Sequence, residues 1–303
     1  MSSRLTKTDF MVVYAILISL SLFIGGFFLG AKVGHDRAEE TFTTLLTSME
    51  GEEHEETMQY SHTDFMSYYY DAYQPFKEFR RDYLAFFDQF ESVPTDQQME
   101  LITQLKGRTQ QIKATLQGAP YPQSSPLLKE SMLQYIEALS AFEKGLKEAE
   151  NKTDLTTDQI KLLDDPQFQA GQAAWLRGQT LFYEALVLWE SIYETNEAPD
   201  FVEAPLDIRI DHWVAYGFHR KNEVIAKALE EKEILTYFNP EDAQIYLASY
   251  ANQQGENAPI NTVADALDVL IASNSIQEGA FLEQTTPQEQ EDLPSPIIPL
   301  FNP

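Results

Sequence analysis

The chain has 303 residues, a formal net charge of −27 and no cysteine. Its length allows one large or two small domains, and its acidity argues against a nucleic-acid partner, because a phosphate backbone needs a basic surface. Without cysteine there can be no disulfide, no thiolate nucleophile and no cysteine-ligated zinc or iron–sulfur site.

Residues 10–31, FMVVYAILISLSLFIGGFFLGA, contain no charged side chain. A helix rises about 1.5 Å per residue, so this segment would span about 33 Å, enough to cross a bilayer. A cleaved signal peptide is the alternative, but the apolar region of a signal peptide has only about 7–15 residues. The segment therefore predicts a transmembrane anchor that follows a short flank at residues 1–9.

The orientation of this anchor depends on the charges around it. Basic residues are balanced on its two sides, with Arg4 and Lys7 before it and Lys32 and Arg37 after it. The acidic run at residues 50–56, EGEEHEE, would be repelled by the anionic lipids of an inner leaflet. We therefore expect residues 1–9 in the cytoplasm, and an acidic juxtamembrane stalk at residues 32–57 outside a bacterial cell.

Three glycines lie in one helical row in and just after the predicted anchor: Gly26, Gly30 and Gly34. Small residues in a row let two membrane helices approach closely, although glycine is common in such helices. The row is compatible with a homo-oligomer, and a monomeric anchor is the alternative.

A stripe of apolar residues, most of them aromatic, runs from residue 58 to residue 90 in steps of four and three, the period of a helix face. Burying one large apolar side chain stabilises a fold by roughly 1.5–3 kcal/mol, and a dozen left in water would promote aggregation. The stripe therefore predicts a buried helix face rather than a ligand-stacking surface, with a kink at Pro75. Its members are Met58, His62, Phe65, Tyr69, Ala72, Phe76, Phe79, Tyr83, Phe86 and Phe90.

The same period recurs in three further segments, at residues 99–116, 128–146 and 168–192. Helix start signals precede them: a capping box at Thr95 and Gln98, and the pairs Ser125-Pro126 and Asp165-Pro166. Four long amphipathic helices joined by short turns predict an all-α fold with an up-and-down bundle over residues 58–194.

Two interior glycines, Gly171 and Gly178, lie on the apolar stripe of the fourth segment beside Trp175. Glycine inside a helix costs about 1 kcal/mol relative to alanine, so a packing or functional reason is expected. A close helix contact would explain them, and so would a small ligand pocket under Trp175 and Trp189.

A linker at residues 195–210 separates the bundle from a smaller helical segment at residues 211–284. The sequence leaves open whether this segment packs on the bundle. Its helices are expected at residues 211–235, after Asn239-Pro240, after a cap at Thr262 and Asp265, and after a capping box at Ser275 and Glu278 as far as Gln284.

The last residues, 285–303, are rich in proline and acidic residues and predict a disordered tail. Its apolar end is a candidate contact for a partner or for the bundle itself, and a frayed terminus is the alternative. The candidate contact residues are Ile297, Ile298, Leu300 and Phe301.

No common catalytic or metal-binding motif occurs in the sequence. The five histidines lack the Glu-x-x-His and His-Glu-x-x-His spacings, and neither Gly-x-Ser-x-Gly nor a phosphate-binding glycine loop is found. We therefore expect no cofactor and no metal site. Whether the chain is an enzyme stays open, and the missing motifs argue against it.

These features favour a membrane-anchored, extracytoplasmic scaffold or accessory protein that binds another protein of the bacterial envelope. A ligand-sensing or solute-binding bundle with a pocket near Trp175 is a second hypothesis. A wall-active hydrolase is a third, because a pair of catalytic carboxylates needs no local motif.

Overall fold

The computed structural model describes residues 61–90, 92–151, 162–195, 207–254 and 260–285. These residues are mostly helical, and the β-structure among them is one isolated bridge between Arg209 and Thr262. The prediction of an all-α fold is confirmed. All of the described residues belong to one compact unit.

Several of the sequence predictions lie outside these ranges: the flank at residues 1–9, the anchor at residues 10–31 with its glycine row, the stalk at residues 32–57, most of the linker, and the tail after residue 285 with its apolar end. Among the helices that the structure describes, none is both long enough and apolar enough to cross a membrane.

The bundle consists of a first rod and three further helices. The rod contains α1 (His62–Tyr68), a π-helical turn (Tyr69–Tyr73) and α2 (Gln74–Phe90). The others are α3 (Thr95–Gly118), α4 (Pro126–Glu150) and α5 (Pro166–Thr195).

The π-helical turn lies directly before Pro75. The backbone N–H of Gln74 donates to the carbonyl of Tyr69, five residues earlier, and Gln74 keeps right-handed helical dihedral angles. The helix therefore continues through Pro75, where the sequence predicts a kink. A π turn adds one residue to the local repeat, and Tyr68, Tyr69 and Tyr73 are all buried there.

The aromatic stripe forms the centre of the bundle core. From Phe65 to Phe90 every member of the stripe is at most 5 % exposed. Phe76 stacks on Tyr135 of α4 with their ring centroids 4.0 Å apart, whereas Tyr70, which is off the stripe, is 55 % exposed. For the members from Phe65 to Phe90, the prediction that the stripe is core is confirmed, whereas His62 is only partly buried and Met58 lies outside the described residues.

Neighbouring helices of the bundle run antiparallel. Between α3 and α4, Lys106 pairs with Glu150 and Lys113 with Glu143, so residue numbers rise along one helix as they fall along the other. Ring contacts place the first rod parallel to α4 and antiparallel to α5. This is the up-and-down arrangement that the sequence predicts.

The described residues after 206 form a C-terminal layer with an apolar core of its own, centred on the fully buried Trp213. This core already includes Ile208, in the range assigned to the linker. Helix α7 packs along α5, so the layer lies on the bundle. Its helices are α6 (Ile210–Val214), α7 (Phe218–Glu231), α8 (Pro240–Gln254), α9 (Val263–Ala272) and α10 (Ala280–Gln284).

The single helix predicted for residues 211–235 is wrong. The chain turns between α6 and α7, and Gly217 is the N-cap residue of α7. The turn allows the indole N–H of Trp213 to donate to the carbonyl of Lys221 at 3.2 Å. Trp213 is thereby fully buried. Val214, which the helical pattern places on the buried side, is instead 37 % exposed.

Two predicted capping boxes are also wrong. The side-chain amide of Gln98 donates to the carbonyl of Phe90 at 2.8 Å and so caps the end of α2 instead. Helix α10 begins only after Gly279, whose φ of 81° suits glycine, and therefore Ser275 and Glu278 lie outside that helix.

Two other start signals are confirmed, and a third is confirmed in part. Pro126 is the first residue of α4, but its N-cap residue Ser125 makes no side-chain capping bond. The carboxylate of Asp165 accepts from the N–H of Gln167 at 2.8 Å, and the hydroxyl of Thr262 accepts from the N–H of Asp265 at 3.1 Å. These bonds satisfy backbone donors that have no partner inside a helix.

The core assignment predicts the effect of Phe79→Ala. Phe79 is fully buried and contacts the rings of Phe142 and Trp175. Lost transfer energy and the remaining cavity should lower the free energy of unfolding by about 3–5 kcal/mol, measured by urea unfolding of the full-length chain. The exposed control Tyr70→Ala should change it by less than about 1 kcal/mol. Equal effects of the two substitutions would contradict the assignment.

Candidate functional site

Gly171 and Gly178 lie where α5 meets α4, and each faces an aromatic ring. A Cβ atom at Gly171 would come within 2.4 Å of the ring of Phe142, and one at Gly178 within 2.6 Å of the ring of Tyr135. The two glycines are seven residues apart on α5, and Tyr135 and Phe142 are seven residues apart on α4. The two contacts therefore follow the antiparallel order of the two helices. The space that the glycines provide is therefore occupied by rings from α4.

A third glycine on the other helix has the same role, and the sequence did not single it out. A Cβ atom at Gly145 of α4 would come within 2.8 Å of the ring of Phe168 on α5. We call these contacts between three glycines and three rings the glycine seam. The buried hydroxyl of Ser131 strengthens it, because it donates to the carbonyl of Gly178 at 2.5 Å and lies 2.6 Å from the hydroxyl of Tyr68.

Trp175 and Trp189 are both buried but do not share a pocket. They are about 21 Å apart along the axis of α5. Trp175 contacts the rings of Phe76 and Tyr83 edge to face, and the cavity beside it has a volume of about 10 Å³. That volume is close to the minimum for one water molecule. The ring of Trp189 lies 6.4 Å from that of His62.

Charged side chains are buried between α5 and α7. The ammonium group of Lys227 lies 3.1 Å from the carboxylate of Glu184 and 3.3 Å from that of Glu223. Arg220 reaches the other oxygen of Glu223 at 2.6 Å. Lys227, Glu184 and Glu223 are each at most 6 % exposed, and burial raises the pKa of Glu223. We call these four residues the ion-pair cluster.

A further buried carboxyl group, that of Glu241, joins α8 to the bundle. Glu241 is 4 % exposed, and the hydroxyl of Tyr183 on α5 donates to its two oxygens at 2.9 and 3.0 Å. Burial raises the pKa of Glu241 to about 7, and the negative charge of Asp242 acts in the same direction. A carboxyl group with this pKa can take up or release a proton near neutral pH.

The phenols around Glu241 are shifted by the same environment. Burial, together with the charge of Glu241, raises the pKa values of Tyr73 and Tyr183. Burial raises the pKa of Tyr69 to about 12, with smaller contributions from Tyr70 and Glu241. Tyr183 is thus a neutral donor to the carboxyl group, and Tyr69 and Tyr73 lie close enough for its charge to act on them.

A cavity of about 100 Å³ borders Glu241. Asp242 lines this cavity and has a structural role, because its carboxylate accepts from the N–H groups of Asn239 and Phe281, both at 3.0 Å. It thereby joins the starts of α8 and α10. Burial lowers the pKa of Lys77, on the opposite wall. The lining residues are Lys77, Asn239, Glu241, Asp242, Glu278, Gly279, Phe281 and Leu282.

Within the described residues, no group of three or more His, Cys, Asp or Glu side chains could hold a metal ion. Sequence reasoning missed Glu241 because acidic residues in the first turn of a helix are common on electrostatic grounds. The pair Glu241-Asp242 after Pro240 therefore looks like an ordinary helix start. Comparisons with protein-family models, with curated proteins and with solved structures find no match for this chain.

The glycine seam predicts opposite effects for two Gly→Ala substitutions. Gly171→Ala should lower the free energy of unfolding by about 1–3 kcal/mol, because the added methyl group overlaps the ring of Phe142. Gly107→Ala, within α3 and with open space around it, should raise that energy by about 0.5–1 kcal/mol. Urea unfolding measures both, and a stabilising Gly171→Ala would indicate room for a ligand at the seam.

The ion-pair cluster predicts a large effect of Lys227→Met. Two carboxylates would stay buried without their shared cation, which should lower the free energy of unfolding by about 3–5 kcal/mol. The control is Lys232→Met, because Lys232 pairs with Asp268 at 2.6 Å in a partly exposed site, where a loss of about 1 kcal/mol or less is expected. Similar unfolding midpoints for the two variants would contradict a structural role of the buried cluster.

Proposed function

We propose that this chain is a membrane-anchored, extracytoplasmic scaffold or accessory protein that acts by binding another protein of the bacterial envelope. One observation carries the proposal: the interior of the bundle is filled by its own aromatic rings. The two cavities described above hold about 100 and about 10 Å³, whereas sites for small molecules usually hold about 300–1,000 Å³. We therefore expect the chain to bind its partner protein through its outer surface.

The anchor is supported by the uncharged apolar segment at residues 10–31. It would hold the folded unit at one membrane face with residues 1–9 in the cytoplasm. The row of Gly26, Gly30 and Gly34 would allow two anchors to pair, so that a homo-oligomer could present two copies of the bundle.

The net charge of residues 38–303 supports a partner with a basic surface. Residues 1–37 hold four basic and two acidic side chains, so residues 38–303 hold 17 basic and 46 acidic ones, a net charge of −29. Such a field accelerates association with a cationic surface and repels other anionic polymers. It also predicts that binding weakens as ionic strength rises.

The absence of cysteine permits a direct test with single-cysteine variants. Ser140→Cys introduces a thiol at an exposed position of α4, and Ser2→Cys introduces one in the N-terminal flank. In intact cells a membrane-impermeant maleimide should label Cys at 140, and should label Cys at 2 only after permeabilisation. The unsubstituted chain is the blank.

The same variant tests the binding function. A photoactivatable maleimide on Ser140→Cys in native membranes should yield discrete protein adducts, and their yield should fall as salt is raised before irradiation. Labelling at position 2 in intact cells would contradict the topology. A correctly oriented chain that forms no protein adduct from any exposed position of the bundle would contradict the scaffold function.

A further inference from the structure

We propose that Glu241 is a proton-binding site that holds the C-terminal layer on the bundle, and that loss of its proton loosens this layer. The proposal does not depend on the scaffold function, because it concerns an internal contact. It follows from where the carboxyl group lies and from which groups surround it.

The contact joins two parts of the fold that have separate apolar cores. Glu241 belongs to α8 in the C-terminal layer, and its partner Tyr183 belongs to the core of the bundle. Apart from Leu176 of α5 in the layer core and Ala226 of α7 in the bundle core, the two cores consist of residues from their own side. Beside these apolar contacts, the boundary holds buried polar groups: the pair of Tyr183 and Glu241, and the ion-pair cluster.

Groups from every neighbouring element determine the charge that Glu241 meets. From α5 it faces Tyr183, from the π turn Tyr69 and Tyr73, and from α8 itself Asp242. From α2 it faces Lys77, whose pKa is lowered by the charge of Arg80 and raised by that of Glu278. On α7, Arg220, Glu223 and Lys227 belong to the ion-pair cluster with Glu184.

Burial is the main reason that the docked state favours the protonated carboxyl group, and the charge of Asp242 adds to it, while the hydroxyl of Tyr183 and the ammonium group of Lys77 act in the opposite direction. The carboxylate of Asp242 repels a second negative charge, and the ammonium group of Lys77 is itself disfavoured by burial. When the layer separates from the bundle, water can solvate the carboxylate of Glu241. Docking therefore takes up a proton, and release of the proton favours separation.

The direction of the pH effect follows from linkage. The pKa of Glu241 is about 7 in the folded chain and 4.5 as an ordinary side chain. A raised pKa stabilises the docked state fully below pH 4.5, and this contribution is lost as the pH rises through 7. Between these limits the ratio of docked to separated layer should fall on the order of a hundredfold.

Other groups titrate in the same range, so the test requires a variant of Glu241. Burial raises the pKa of Glu223, which acts in the same direction, and lowers the pKa of His62, which acts in the opposite direction. Glu241→Gln keeps an acceptor for Tyr183 and carries no charge at any pH. Glu278→Gln is the matched control, because Glu278 lines the same cavity and is exposed.

Opening of the layer can be measured through Ala226→Cys in the otherwise cysteine-free chain, because Ala226 of α7 is 1 % exposed and is covered by the core of the bundle. Its labelling rate is divided by that of the exposed Ser140→Cys, and this ratio is thereby corrected for thiol ionisation. From pH 5 to pH 8.5 the ratio should rise at least tenfold, on the order of the linkage effect. With Glu241→Gln it should stay nearly constant, and with Glu278→Gln it should rise as in the parent.

A ratio that rises equally in Glu241→Gln and in the parent would overturn the proposal, and so would a ratio that is constant in the parent. If Glu241→Gln does not fold, the side-chain carboxyl carbon of Glu241 can be titrated by NMR in the full-length chain. A midpoint near 7 supports the proton site, and a midpoint below 5 overturns it.

Discussion

The close approach of α4 and α5 is the constraint on which the rest of the structure depends. Gly145, Gly171 and Gly178 remove side chains where the rings of Phe168, Phe142 and Tyr135 must lie. An added Cβ atom would overlap a ring at each place, so this spacing requires glycine. The same rings of α4 contact the aromatic stripe of the first rod, and the seam therefore sets the position of the stripe as well.

Helix α5 also carries the contacts that attach the C-terminal layer. Tyr183 and Glu184 are consecutive residues: Tyr183 binds Glu241 of α8, and Glu184 binds Lys227 of α7. Polar contacts of this kind stabilise less per buried area than apolar packing does, because each charge loses its hydration. The fold therefore combines a closely packed bundle with a layer that is attached in part through buried charged and polar groups.

Most of the bundle could be predicted from the sequence, because its signals are local and periodic. The stripe from Phe65 to Phe90 repeats with the helix period, and Pro126 and Asp165 mark helix starts. The turn after Val214 could not be predicted, because the helical pattern continues across it and only the tertiary burial of Trp213 breaks it. The site at Glu241 could not be predicted either, because its pKa depends on burial against Tyr183, 58 positions earlier in the chain, and near Tyr69 and Tyr73 of the first rod.

Amide hydrogen exchange across the full-length chain, measured at pH 5 and at pH 8 and corrected for intrinsic rates, tests most directly whether α5 is the common support of both parts. Opening free energies differ between cooperative units of a fold. The account predicts that α4 and α5 exchange slowest at both pH values, while α7 and α8 open together and more readily at pH 8. If α5 exchanged as fast as α8, or if α7 and α8 remained as protected as α5 at both pH values, the account would be contradicted.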